Sequence, residues 1–409
     1  MRSRPGRGES WAVTVSDTGL SSTTASRLIT SRQMILLLLV SFGSFIGFYL
    51  LLSVVPLYAA AGGAGASGAG AATGVMMLAT VLMELAVARL VARFGYRTVA
   101  SAGLLMLAAS AAALTLSERM PLVLAVCLLR GAGLAIVAVV GPALTAELVP
   151  VERRGEGLGL YGVVVGVPAV IGLPLGVWLS SHLGFHFVFL ISAGVSVATL
   201  VAALGLPAQQ GRSEPHGRMR GSLRGSGFVR PAVIFAAFTV VAGVVETFLS
   251  LAMPATVRAW VPLALLAQTA ITPFARWGAG RLGDRRGSGP LLVPAVLTAA
   301  IGTAGLVWVA SPVAVIAGMA LFGIGFGIGQ NATLALMLER ISPTEFGKAS
   351  ALWNLAYDGG FGIGAVGFGL LTAPVGYPTG FAVTALVLIA AIAPAWRDRT
   401  AGRKANHAS

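Results

Sequence analysis

Four ionisable side chains sit inside long apolar runs of this sequence: Glu84, Arg130, Glu246 and Asp358. A charged side chain at the centre of a bilayer costs about 2.5–3.5 kcal/mol on insertion scales, so each of them demands a use. A carboxyl in low dielectric favours its neutral form, and a change of hydration then lets it take up or release a proton. Asp358 is the most central of the three acids. Asn354 lies one helical turn before it on the same face, and Gly359-Gly360 follow directly. Glu246 lies toward one end of its run. For both acids, proton carriage and a permanently paired packing role are open readings. Arg130 cannot lose its proton, so it must find an acid, a substrate anion or helix carbonyls. Gln268, Gln330 and Asn331 extend the polar set, and Tyr49, Tyr161, Trp353 and Tyr357 have the size to wall an apolar ligand.

The elements that carry these residues follow from composition. Of 409 residues 56% are hydrophobic and 10% charged, against roughly 25% charged in soluble domains. So much apolar surface needs lipid as its solvent, and apolar runs of membrane-crossing length recur along nearly the whole chain. This is an all-α polytopic membrane protein. The predicted spans are 33–58, 71–92, 98–116, 120–147, 155–181, 186–206, 229–253, 259–282, 289–310, 312–339, 347–373 and 377–396. The 54 glycines suit close helix packing, since small residues let backbones approach. Cys127, the single cysteine, excludes an internal disulfide.

An internal repeat organises the spans. Arg89, Arg93 and Gly95 fall on Arg281, Arg285 and Gly287 at a constant shift of 192, as do Gly131 on Gly323, Glu147 on Glu339 and Gly172 on Gly364. One half has been built twice. Residues 1–31 read as a disordered tail, 32–206 as the first six-helix bundle and 207–228 as a linker. Residues 229–397 form the second bundle and 398–409 a terminal tail. A Gly/Ala loop over 59–70 joins the first two spans. The net charge of +14 is spread over loops rather than gathered into a nucleic-acid-binding patch. Of the 28 lysines and arginines, all but Arg119, Arg258 and Arg130 fall on one side, which places both termini in the cytoplasm.

Gly280-Arg281-Leu282-Gly283-Asp284-Arg285-Arg286-Gly287 between spans eight and nine, with six spans on either side of a basic linker, resembles the major facilitator superfamily. Residues 88–97 resemble the same motif in part. Leu129-Arg130-Gly131-Ala132-Gly133 is similar to the family's arginine–glycine signature. Gly162, Gly166, Gly172, Pro174 and Gly176 resemble the glycine–proline motif of its drug/proton antiporter branch. The resemblance covers about residues 32–397. It implies two six-helix bundles related by a pseudo-two-fold axis that rock about a central site. Spans one, four, seven and ten would line that site, which places Arg130 with Glu246.

The motif at 280–287 is expected to be a latch, with Asp284 capping the following N–H groups and the arginines meeting acids of neighbouring helices. Topogenic charge with no gating role is the alternative. In the first copy Ala92 replaces the acid, and Glu84, one turn before Ala88, is the candidate to supply the missing charge. Glu147 and Glu339 are expected to form salt bridges with the latch arginines. The function expected is secondary active transport: proton-coupled export of a small apolar or amphipathic compound, with Asp358, Glu246 and Glu84 as coupling acids. A nutrient or sugar symporter is the alternative, and a non-transporting membrane sensor a further one. The expected partners are the substrate, protons and lipid, for a monomer in a bacterial inner membrane. No enzyme signature, cofactor motif or metal-ligand cluster is present in the sequence.

Overall fold

The computed structural model describes residues 31–150, 153–209, 227–340 and 346–399. The expected tails and most of the linker therefore lie outside the described residues. The described chain is almost wholly helical. In chain order the helices are α1 (Arg32–Leu52), α2 (Val54–Ala59), α3 (Gly65–Ala113), α4 (Met120–Leu148), α5 (Arg154–Leu183) and α6 (Phe185–Ala203). The second half continues with α7 (Val229–Ala252), α8 (Val261–Arg286), α9 (Leu292–Gly305), α10 (Pro312–Glu339), α11 (Phe346–Ala390) and α12 (Ile392–Asp398).

Apolar composition makes these segments helical, because in lipid each backbone polar group must be satisfied within its own segment. Local chemistry sets the ends. Ser31 caps α1 by accepting from Met34 N at 3.3 Å. Ser311 accepts from Ala314 N at 3.4 Å, with Pro312 opening α10 where a missing N–H costs nothing. Glycines in left-handed conformations make the sharp turns. Gly95 (φ 79°) breaks α3, and Gly376 (φ 78°) breaks α11. Seven continuous helical runs among the described residues are long and apolar enough to cross a membrane, two of them turning at these glycines. The loop expected over 59–70 is shorter than anticipated. A wide turn at Ala60–Ala64 and the positive-φ residues Gly63 and Gly65 suffice, and α3 begins at once.

The repeat is written into the packing. Gly95 and Gly287 make corresponding turns, as do Gly184 (φ 83°) and Gly376, each pair 192 apart and all four in one positive-φ conformation. Gly131 packs against Met76 and Ala79, and Gly323 against Gln268 and Ile271. Thr80 Oγ1 donates to Met76 O and Gly131 O at 3.0 and 3.1 Å. Its counterpart Thr272 donates to Gln268 O and Gly323 O at 2.7 and 3.2 Å.

The motif at 280–287 is not a loop. Residues 280–286 are the last turns of α8, and only Gly287 leaves the helix. Asp284 thus ends one helix instead of capping the next, and its side chain is exposed, with no ion pair among the described residues. Arg281 lies over the Trp277 ring at 3.5 Å.

Candidate functional site

The two halves meet most closely along α3 and α11, which run antiparallel. Ala66 and Gly70 face Gly369, Gly70 faces Ala365, and Gly74 and Met77 face Gly362. A methyl added at Gly369 would lie 2.6 Å from Ala66 O, so the backbones touch. Continued for another two turns, the same register brings Glu84 to Asp358. Their carboxyl groups lie within electrostatic reach of each other. Two carboxylates so placed in a low dielectric cannot both ionise without cost, which favours one proton between them. Asp358 is 9% exposed. Glu84 thus lies near the other half's acid.

A second acid lies deeper toward the end opposite the arginine-rich turns. Glu246 on α7 is 7% exposed and accepts from Gln268 Nε2 at 3.2 Å. Its backbone carbonyl accepts from Ser53 Oγ at 2.5 Å, and Thr73 and Thr247 hydroxyls meet at 3.1 Å. These bonds join the halves. Gln268 Oε1 is buried without a partner. Tyr49 stands within electrostatic reach of both Glu246 and Asp358, as does Tyr357. Around Tyr357 is an aromatic wall: Phe235 stacks on Trp353 at 4.3 Å and lies 5.9 Å from Tyr357, and Phe326 lies 6.5 Å from Tyr357. Trp353 Nε1 has no partner. Phe235 and Phe326 were not singled out in the sequence, where nothing separates them from ordinary core phenylalanines.

Arg130 does not join this cluster. It is 1% exposed, donates from Nη2 to Phe48 O at 3.1 Å, and lies over the Phe48 ring at 5.6 Å. Its Nε and Nη1 are buried without a partner among the described residues. The expected pairing with Glu246 is absent because α1, near its C-terminal end, takes the guanidinium first, where helix carbonyls favour a cation.

Other expected site residues disperse. Tyr161 is buried and fills the space over Gly141, packing against the helix backbone there. Asn331 lies beside Gly280 on α8, Gln330 is half-buried, and Asn354 is exposed. Of the α5 motif, Gly172 and Gly176 press against Tyr49 and Leu50 of α1, while a side chain at Gly162 or Gly166 would meet nothing within 4 Å. Pro174 sits inside α5 between them. The salt bridges expected at the latch are replaced by hydroxyl contacts. Tyr96 OH donates to Glu147 at 2.7 Å and Ser288 Oγ to Glu339 at 3.0 Å, with Gln209 adding a 3.2 Å bond to Glu147. The reason is the turn: the glycine at 95 or 287 swings the next residue, not an arginine, onto the neighbouring helix end. Arg340 and Arg230 instead meet at Asp398, at 3.3 and 2.6 Å. Among the described residues no group of three or more His, Cys, Asp or Glu is placed to hold a metal.

These contacts define a state. The bonds between halves named above crowd the end opposite the arginine-rich turns. At the arginine-rich end Gly155, Gly159, Gly162 and Gly166 of α5 and Gly278 of α8 have open space beside them. The junction between the halves is thus more closely bonded at the end opposite the arginine-rich turns.

Two packed halves repeating each other's contacts, with acids buried at their junction, define a polytopic membrane protein built from a duplicated helical half. The family profile of the Major Facilitator Superfamily matches residues 37–365 and, again, 279–409, and the chain belongs to that superfamily. A stretch of 94 residues is 40% identical to an uncharacterized MFS-type transporter of Mycobacterium tuberculosis (strain CDC 1551 / Oshkosh), covering 23% of this chain and 14% of that one. Another of 189 residues is 26% identical to the multidrug transporter protein MdtP of Bacillus subtilis (strain 168), covering 46% of this chain and 32% of MdtP. The matches thus span a third or less of these relatives' lengths. Among solved structures, the nucleoside transporter NupG superposes with a TM-score of 0.71 at 13% identity, over 89% of this chain and 98% of NupG. The xylose transporter XylE from E. coli, in an inward open conformation, gives 0.71 at 15% identity, over 90% and 96%. At such identities the likeness is one of fold.

Proposed function

We propose that this protein exports a small apolar or amphipathic compound from a bacterial cell in exchange for protons, by alternating access. The feature that carries the proposal is the carboxyl pair Glu84–Asp358, one acid from each half, within electrostatic reach at the junction where the halves must part. A site that is whole only when the halves meet links protonation to conformation, because neighbouring acids favour a retained proton and parted acids do not. The aromatic wall by Tyr357 and Trp353 suits an apolar ligand, and the similarity of part of the chain to MdtP agrees with export. With both termini in the cytoplasm, as the arginine distribution indicates, the less closely bonded end of the junction faces the cytoplasm, where an exporter collects its load. The protein works as a monomer in the inner membrane, and the turn at Gly280–Gly287 acts as a latch in the opposite state.

The decisive measurement uses proteoliposomes with a pH-sensitive dye. Asp358→Asn keeps the size of the protonated acid. It should retain folding but abolish concentrative transport and its pH dependence, and Glu84→Gln should do the same. Unchanged pH profiles in both variants would remove the pair from coupling.

A second reading has its own support. Gln268 Oε1, beside Glu246, and Trp353 Nε1, in the aromatic wall, are buried hydrogen-bonding groups without partners among the described residues, and a polar nutrient would satisfy such groups. Proton flux in the same direction as substrate would favour that symport.

A further inference from the structure

Arg276 falls with the arginine-rich side in sequence, yet α8 carries it ten residues, about 15 Å, inside the Arg286 end of the helix. A guanidinium at that depth needs a partner. Among the described residues it makes no hydrogen bond and no ion pair, although its side chain is exposed. Snorkelling to lipid head groups is the plain alternative, and the packing argues against it. α8 and α10 lie side by side, with Gly323 on Gln268, Gly327 on Thr272 and Arg276, and Asn331 beside Gly280. A methyl added at Gly327 would lie 3.0 Å from Arg276 N, so the arginine starts from the face turned to α10. Phe326 precedes Gly327 and lies 6.5 Å from Tyr357, which is within electrostatic reach of Arg276. The guanidinium therefore belongs with α10 and α11 and the aromatic wall, where Trp353 Nε1 is a buried donor without a partner among the described residues. Glu246 meets Gln268 two turns, about 12 Å, further along α8, and Asp358 lies near Glu84. Tyr357 is the titratable group common to both neighbourhoods.

We propose that Arg276, the Asn331 amide and the Trp353 indole N–H form a subsite for the carboxylate of an amphipathic aromatic acid, whose ring lies against Tyr357 and Trp353. A guanidinium pairs with a carboxylate through two parallel hydrogen bonds, which a neutral amide or an ammonium head does not return. All three groups offer donors, and the Asn331 carbonyl is the one acceptor among them, so an anion is favoured and a cation repelled. The inference rests on the export reading and names its substrate class.

The probes are 2-naphthoate and its neutral counterpart 2-naphthamide, titrated calorimetrically into the full-length protein in nanodiscs of phosphatidylcholine and phosphatidylglycerol. Partition into lipid differs between the probes but cancels when wild type and variant are compared with the same probe. Arg276→Gln should weaken 2-naphthoate by about tenfold or more and leave 2-naphthamide within about twofold, with unchanged thermal unfolding. Arg276→Lys keeps the charge without the fork and should weaken 2-naphthoate by about threefold. It carries the test if the glutamine variant does not fold. Equal weakening of both probes, or of neither, overturns the proposal. So does native mass spectrometry finding phosphatidylglycerol on the wild type that is lost from Arg276→Gln and is not displaced by 2-naphthoate. The two readings fail separately. Binding is measured without a gradient, so naphthoate selectivity that depends on Arg276 upholds the subsite even if proton flux in proteoliposomes runs in the direction of symport. Proton-coupled export together with unchanged naphthoate affinity in Arg276→Gln sinks the subsite and leaves the export reading standing.

Discussion

Arg130 offers five N–H donors and uses one, to Phe48 O. Each buried donor without a partner costs about 1–3 kcal/mol, so two such nitrogens among the described residues argue against a purely structural role. Replacing a buried charge by an apolar side chain of similar volume is often neutral or stabilising. Arg130→Met should therefore leave the unfolding temperature in detergent unchanged or higher, while transport falls by tenfold or more. A variant that unfolds earlier yet transports normally would reduce Arg130 to a tie between α4 and α1. At the same scale, Asp284 is exposed and makes no ion pair among the described residues, so Asp284→Asn should shift stability by less than about 0.5 kcal/mol. If it acts as a latch when the halves rock, transport should nonetheless slow markedly. Wild-type turnover would leave the motif a topogenic signal.

The helices owe their close approach to glycines whose roles differ in kind. Gly131 of α4 lies on Met76 O, and its counterpart Gly323 of α10 lies 2.6 Å, measured from an added methyl, from Gln268 O. Gly131→Ala and Gly323→Ala must push backbones apart and should each cost about 1–3 kcal/mol. Gly162 of α5, beside open space, lacks that constraint. Gly162→Ala should stabilise by up to about 1 kcal/mol through helix propensity alone. Thermal unfolding of the three variants checks the sign in each case. Equal shifts in the two halves would follow from the shared packing, while a stabilised Gly131→Ala would contradict the contact geometry.

At the scale of the whole molecule, the state is set by where the halves touch. Thr73 and Thr247 meet at 3.1 Å across the junction, at the end opposite the arginine-rich turns. Paired Thr73→Cys and Thr247→Cys changes should crosslink under mild oxidation, halt transport, and release it again on reduction. Cys127 is buried and should not interfere. Full transport in the crosslinked protein would mean that the halves do not part there. Orientation is checked independently. A reporter fused after residue 399 or inserted between 210 and 226 should be active only in its cytoplasmic form, and a periplasmic signal from either site would reverse the orientation.

Much of this architecture was legible before any coordinates. Apolar run length, the 192-residue repeat and the lopsided arginines depend on composition and order alone. Solvent chemistry then leaves little choice: in lipid such runs become helices, and duplicated runs pack alike. Thus Gly95 and Gly287 form the same turn, and Gly131 and Gly323 the same contact. The importance of Asp358 was also legible, because an acid amid apolar residues stands out in one dimension. Its partner was not. Glu84 was read with the motif four residues beyond it, since sequence proximity was the only neighbourhood available. The pairing of Glu84 with Asp358, the separation of Arg130 from Glu246 and the hydroxyl partners of Glu147 and Glu339 all depend on which helix faces cross and in what register. Crossing and register are set by side chains of both halves together, through glycines that let α3 and α11 touch, and only the folded molecule decides them.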